Sequence, residues 1–348
     1  MELDINAYLS GLLLKYNTYQ PSKSEVKEIE KDLVGFILRK IIRKKFRKGK
    51  LYPNTQKTIY EKVSFRVKKN LPIHFVVPFG GYKHFWNPSH PEPDWAEFFN
   101  FKFLTDFVSP IVASYHAGVL LEYISEDLIL TRMNNYPQAS LEQYSKSFSK
   151  LLNLYAKNTP KNLQFNYFRI GDRYDKNTII KRVEELLPER RKDFEKLSPE
   201  EKERELNRSH RSVFYNGEKD LTQLKDKDRL ERIIESRLIE LAYYKIEGQS
   251  EFLSDYLYGD GHICICFSFG LSHDNIDNDL TLGSTYSSIV DYWIGRGILE
   301  KHSEKFIPRI VSKEQYELIK EKLSIYSTNL IPLKNFKDIE VYDGTLSF

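Results

Sequence analysis

A lysine, two histidines, a tryptophan and two carboxylates crowd into one stretch of this chain, HFVVPFGGYKHFWNPSHPEPDWAEFFNF, from His74 to Phe101. Gly80 and Gly81 follow an apolar run, where glycine permits positive φ and close approach of backbone to a ligand. Lys83 is spaced to bind a phosphate or carboxylate just beyond them, with His84, Trp86 and His90 next along the chain. Asp94 and Glu97 stand three apart, which reads either as a capping box opening a helix or as an acid and base at the end of a strand. The glycines match neither G-x-x-x-x-G-K-[ST] nor G-x-G-x-x-G, so a Walker loop and a dinucleotide fingerprint are both excluded.

Other constellations are weaker. In SEDLILTRM, Ser125, Glu126 and Asp127 read as a turn between two strands, with Asp127 as a candidate acid or base and Arg132 as a candidate clamp for a carboxylate or phosphate. His262 and His273 flank ICICFSFGLS, and a histidine at a strand end is a candidate acid or base, though a plain loop histidine fits the same pattern. His84 and His90 lack zinc-ligand spacing, and DNIDND lacks the glycine and terminal glutamate of an EF-hand loop, so no metal site and no cofactor are expected. In GSTYSSIVDYWIGRG, Ser284 or Thr285 caps a helix whose N-terminus could hold an anion.

The elements that must position these residues follow from periodicity. IHFVVPF (Ile73 to Phe79) is a short apolar run closed by Pro and Gly, as for a buried strand. A helix is expected from Asp94 with Phe98, Phe101, Leu104 and Phe107 on its apolar face; GVLLEYIS and DLILTRM are expected as strands, Leu141 to Tyr155 as a helix and LQFNYFRI as a strand. Ser198, Pro199 and Glu201 open a helix in LSPEEKERELNR, and Leu230, Ile233, Ile234, Leu238 and Leu241 mark another. HICICFSFGL returns to strand, and STYSSIVDYWIGRGIL and SKEQYELIKEKLSIY are read as closing helices. The pattern is α/β: a Rossmann-like sheet covered by helices, with an N-terminal helical segment over 1–60 and a helical insertion over 179–250 inside the 61–348 domain.

With 348 residues, 41% of them hydrophobic, the chain can bury a large core without staples. A net charge of +4 is the small remainder of many charges of both signs and excludes a broadly polybasic protein. Cys264 and Cys266, two apart on an apolar run, have Cα atoms roughly 6.5–7 Å apart in a strand, at the edge of disulfide reach, so reduced thiols are expected. No apolar stretch approaches a membrane span of about 20 residues and no signal peptide is evident, which makes the cytoplasm the expected compartment.

From Pro72 to Tyr136 the chain resembles the pyoverdine/dityrosine biosynthesis family, the isonitrile synthases that act on tyrosine or tryptophan. The residues that carry the likeness are the strand Phe75 to Pro78, Lys83, Pro93-Asp94 with Glu97, Tyr115 with Gly118, and Ser125 with Asp127. Gly80-Gly81-Tyr82 stands where the family has a proline-lysine-serine stretch, and no arginine stands in ICICFSFGLSH where the family has R-L-S-x-H. The resemblance implies an enzyme that condenses the amine of an amino acid with the ketone of ribulose 5-phosphate and fragments the adduct to an isonitrile. It implies Lys83 and Arg132 for the phosphate, Asp94, Glu97 and Asp127 for proton transfer, and Phe85, Trp86 and Tyr115 for the aromatic pocket; Gly80, Gly81, His84, Ser125 and His273 are the further candidate substrate contacts. The competing reading rests on RKIIRKKFRKGK, an amphipathic helix end whose Arg39, Lys40, Arg43, Lys44, Lys45 and Arg47 would track a nucleic-acid backbone. A non-catalytic scaffold, in which the first cluster is only a structural corner, is the third.

Overall fold

The computed structural model describes residues 4–47, 51–80, 82–87, 89–125, 127–133, 136–206, 225–247, 259–266, 280–283, 292–303 and 305–346. Five parallel strands form the central sheet in the order β3-β2-β1-β4-β5: β1 (Ile73–Phe79), β2 (Val119–Ser125), β3 (Leu163–Arg169), β4 (His262–Cys266) and β5 (Leu280–Thr281). Strand alternation divides the side chains between two faces. Phe75, Val77, Phe79, Leu121 and Tyr123 join one core, while Val76, Ile124 and Phe168 join another.

The first face is covered by α1 (Ile5–Leu14), α3 (Leu33–Ile41), α5 (Trp95–Ser114) and α7 (Gln138–Ala156), so the N-terminal helices share one core with the sheet. The expected apolar helix through Ile29 to Ile41 is two helices, α2 (Lys23–Lys31) and α3. Asp32 ends the first and caps the second, its carboxylate accepting from Gly35 N at 2.8 Å, a side-chain bond that competes with helix continuation. After α4 (Pro53–Lys68) the chain enters β1. The second face is covered by α6 (Asp127–Met133), α9 (Lys176–Lys196) and α11 (Asp226–Glu247), with the short α8 (Ile170–Arg173) before α9 and a helical stretch α10 over 199–206 between them. Ser198 and Glu201 exchange the capping bonds read from the sequence.

Two expectations fail in instructive ways. DLILTRM is the helix α6, not a strand: Ser125 already ends β2, and Met133 buries itself among α9 and α11 rather than pairing along the sheet. The C-terminal region is chiefly a second sheet, not closing helices. Residues 296–299 of the supposed helix belong to β6 (Arg296–His302), and SKEQYELIKEKLSIY holds α12 (Lys313–Ile319) and a 3₁₀ turn (Lys320–Lys322) before β8 (Leu323–Ser327). With β7 (Lys305–Val311) and β9 (Asp338–Asp343) these make a four-stranded sheet ordered β7-β6-β9-β8. Short apolar runs such as GILE and LSIY carry no period that separates strand from helix, and pairing partners decide.

The turn into β2 depends on Gly118, at φ 67°, where an added Cβ would stand 1.8 Å from the Asn162 carbonyl oxygen. That carbonyl accepts from Val119 N at 2.9 Å and starts the β2–β3 ladder, so neither side has room to move. Gly118→Ala is expected to lower unfolding stability by about 2–4 kcal/mol, read as a drop in the urea midpoint with an unchanged slope.

Candidate functional site

β1 pairs with β2 through Pro78 and Phe79 and ends there, and Gly80 follows, buried. A single 3₁₀ turn, Tyr82–Phe85, then drops Lys83 into the molecule, where it is 2% exposed. The ammonium lies 3.2 Å from Asp94 Oδ2 and 3.4 Å from Glu97 Oε2, and it donates to the Gly295 carbonyl. Asp94 caps α5, accepting from Ala96 N at 2.8 Å, while Glu97 Oε2 accepts from Asp94 N at 2.9 Å. The two readings left open by the sequence therefore coincide: the capping box is present, and its carboxylates hold the lysine.

Two further groups complete the site. Tyr144 of α7 donates its hydroxyl to Glu97 Oε1 at 3.0 Å, and Gly297 N of β6 donates to Asp94 Oδ1 at 3.3 Å. Gly297 allows this approach because a Cβ there would lie 2.3 Å from Ala96 N. Aromatic rings seal the inner side: Phe79 meets Tyr144, Phe148 and Tyr292 with centroids 4.6 to 6.2 Å away. Glu97 is fully shut from water, and burial, with Asp94 adding to it, pushes its carboxyl up to about 8 against the pull of Lys83. Arg296 also acts on Asp94, whereas Lys83 is the cation that acts on Glu97, and desolvation outweighs its pull, so burial favours the protonated form of Glu97. Asp94, with 12% of its side chain exposed, is the outer member of the trio.

The other expected site residues scatter. Ser125 ends β2 beside Phe79 and is buried, so it stays at this end of the sheet. His84 Nδ1 bonds Ser140 Oγ at 2.8 Å, its ring sits edge-on to Tyr136, and burial lowers its pKa. Trp86 donates Nε1–H to the Ile294 carbonyl at 2.7 Å. Tyr115 caps the far end of α5, some 30 Å of helix from Asp94, and its hydroxyl donates to the Leu71 carbonyl at 3.0 Å. It cannot share a pocket with Lys83. Arg132 is ion-paired with Glu184 of α9 at 2.8 Å, on the second face of the sheet. With Lys83 enclosed by three acceptors and Arg132 committed to Glu184, the phosphate hold expected of them is not what their geometry offers. Gly81, His273, Ser284 and Thr285 lie outside the described residues, as do the side chains of Phe85, Asp127 and Cys266. Cys264 is half-buried on β4. Among the described residues no three His, Cys, Asp or Glu side chains converge on a metal position.

The basic segment also differs from its expectation. α3 ends at Ile41, and Arg43 turns inward to donate to the Lys40 and Phe107 carbonyls, burial pushing its guanidinium down to about 10. Lys40 pairs with Glu25, Arg39 with Glu28, and Arg47 donates to the Ile42 carbonyl. Lys44 and Lys45 stay exposed, and Lys48 and Lys50 lie outside the described residues. Most of the charge read as a backbone-tracking surface thus serves internal contacts.

Sequence reasoning missed Tyr144, Gly295 and Gly297. The G-R-G at 295–297 was the available signal of close backbone approach, whereas Tyr144 looks like any other aromatic on an apolar helix face. It also missed a polar cluster on the second face. His74 Nε2 bonds Glu122 Oε2 at 3.1 Å, Glu122 Oε1 accepts from Asn166 and Arg173, and the His262 ring lies 6.5 Å from that of His74. Burial alone would raise Glu122, but these bonds hold it down at about 2. His262 opens β4 beside His74, at the opposite end from Lys83.

No protein-family model and no curated protein matches the sequence. Among solved structures, the PvcA protein from Pseudomonas aeruginosa is similar with a TM-score of 0.58 at 15% identity, over 90% of this chain and 99% of that one. A cyclodipeptide synthase from Bacillus thermoamylovorans aligns with a TM-score of 0.37 at 12% identity, over 70% of this chain and 97% of that one. The chain has the PvcA-like α/β fold. Among the described residues no helix is long and apolar enough to cross a membrane.

The Glu97 carboxyl makes stability depend on pH with a definite sign. Its folded pKa is raised, so its contribution is fully present below about 4.5 and is lost as pH rises through about 8. Within that window the wild type should lose up to ~1.4 kcal/mol per pH unit from this proton. Glu97→Gln, which keeps a capping acceptor, should remove the slope. Urea midpoints at a series of pH values check this, and parallel wild-type and variant curves would count against the protonated carboxyl.

Proposed function

We propose that this chain is a small-molecule biosynthetic enzyme of the isonitrile synthase kind, joining the amine of an amino acid to the ketone of ribulose 5-phosphate. The observation that carries the reading is the Lys83–Asp94–Glu97 trio, with Glu97 at about 8, at the carboxyl end of β1 in a parallel sheet. That end of an open α/β sheet is where ligands bind, and a carboxyl titrating near the working pH suits both giving and taking a proton. The PvcA-like fold over nine-tenths of the chain supports it, as does the sequence resemblance through Lys83, Asp94 and Glu97.

The condensation sets the roles. The amine must lose a proton before its nitrogen bonds to the ketone carbon, and the ketone oxygen must gain protons to leave as water. Asp94, the outer carboxylate, takes the proton from the incoming ammonium, and Glu97 with Tyr144 holds the proton to be returned. Lys83 balances the carboxylates and fixes their geometry rather than binding the phosphate. Trp86, on the same loop, offers an aromatic face for the amino-acid side chain.

Incubating the purified protein with ribulose 5-phosphate and the twenty amino acids should yield the isonitrile mass or its N-formyl hydrolysis product by mass spectrometry. Glu97→Gln and Asp94→Asn should each lower turnover by about 10²–10⁴-fold with circular dichroism unchanged. Absence of product from folded wild type, or full turnover in both variants, would remove the reading.

A further inference from the structure

The two edges of the C-terminal sheet are finished differently. β7 carries Lys305, Pro308 and Arg309, the charges and proline that keep an edge strand from pairing with another chain. β8, LSIYS, carries neither charge nor proline. β9 pairs with one side of β8, and among the described residues no strand pairs with the other. Four of the five β8 residues are exposed, with Ile325 at 69% and Tyr326 at 40%, and α12 adds Leu318 at 75%. Of the nine large apolar side chains exposed among the described residues, these three fall within nine positions. A third of this apolar exposure therefore lies at the unprotected edge of the C-terminal sheet.

We propose that β8 is a self-association edge, at which a second copy of this chain adds its own β8 antiparallel about a two-fold axis near Ile325. The flanking charges select this partner and direction. Lys320, Glu321 and Lys322 precede β8, and Thr328, Asn329 and Leu330 follow it. Antiparallel pairing sets Lys322 across from Thr328 and Glu321 across from Asn329, so no like charges meet; parallel pairing would lay each lysine against its own copy. Ile325 meets Ile325 of the second copy, covering the more exposed of the two large apolar side chains on the strand. The contact is closed: the joined eight-stranded sheet has β7 at both outer edges, where Pro308 and the charges stop further addition. The inference does not rest on the proposed enzymatic activity.

Sedimentation velocity of the full chain from about 1 to 50 µM should show a species of twice the chain mass. Ile325→Lys and Ile325→Asp each place like charges across the axis, and each should be monomeric over that range with unchanged circular dichroism and thermal midpoint. Mixing the two variants should restore the dimer, because Lys then faces Asp. Leu14→Lys, at an exposed apolar position far along the chain, should leave the dimer intact. A monomeric wild type, a dimer that survives in either Ile325 variant, a mixture that stays monomeric, or equal loss in Leu14→Lys would each overturn the proposal.

Discussion

The Lys83 ammonium, shut from solvent among Asp94, Glu97 and the Gly295 carbonyl, is the contact on which the strand-end region depends. A buried cation is tolerable only when fully paired and hydrogen-bonded, so each acceptor must come to it. Those acceptors belong to two different parts of the fold: the start of α5 and the turn before β6. Meeting this demand draws the C-terminal sheet against the N-terminus of α5. Gly297 N on Asp94, Trp95 Nε1–H on the Asp338 carbonyl at 2.9 Å, and Asn335 on the Glu92 carbonyl at 2.9 Å trace the same junction.

Burial that makes the junction also gives it chemistry. Lys83 lies beside both carboxylates and Arg296 acts on Asp94 as well, but inside the ring of Phe79, Tyr144, Phe148 and Tyr292 the desolvation of Glu97 outweighs the pull of Lys83 and favours its protonated form. The same two residues are a helix cap and the candidate acid–base pair. A cap is rigid because the backbone holds it, which is the preorganisation an acid–base group requires.

The second face shows the contrasting solution. Glu122 is also buried, but His74, Asn166 and Arg173 are all hydrogen-bonded to it, and its carboxyl stays low at about 2. Two buried carboxylates are thus shifted in opposite directions, Glu97 up where desolvation dominates and Glu122 down where hydrogen bonds and Arg173 outweigh it. The lower half of that face is polar where α9 and α11 supply the apolar cover only to Val76, Ile124 and Phe168.

What the sequence alone determined is local. The apolar run Ile73 to Phe79 closed by proline, the Asp94–Glu97 box and the Ser198–Glu201 box act within a few residues, and each forms where the residue types and spacing placed it. The place of Lys83 just beyond a strand end was legible for the same reason: it follows β1 within one turn. What only the tertiary structure decided is long-range. Whether DLILTRM, GILE and LSIY become helix or strand is set by the neighbours that pair with or cover them, and those lie far away in the chain. Lys83 meets Gly295 across 212 positions and Glu97 meets Tyr144 across 47, so the lysine's enclosure, the retained proton and the distance of Tyr115 from the site are properties of the assembled core. A residue's charge state follows from desolvation and partners, and neither exists until the chain has folded.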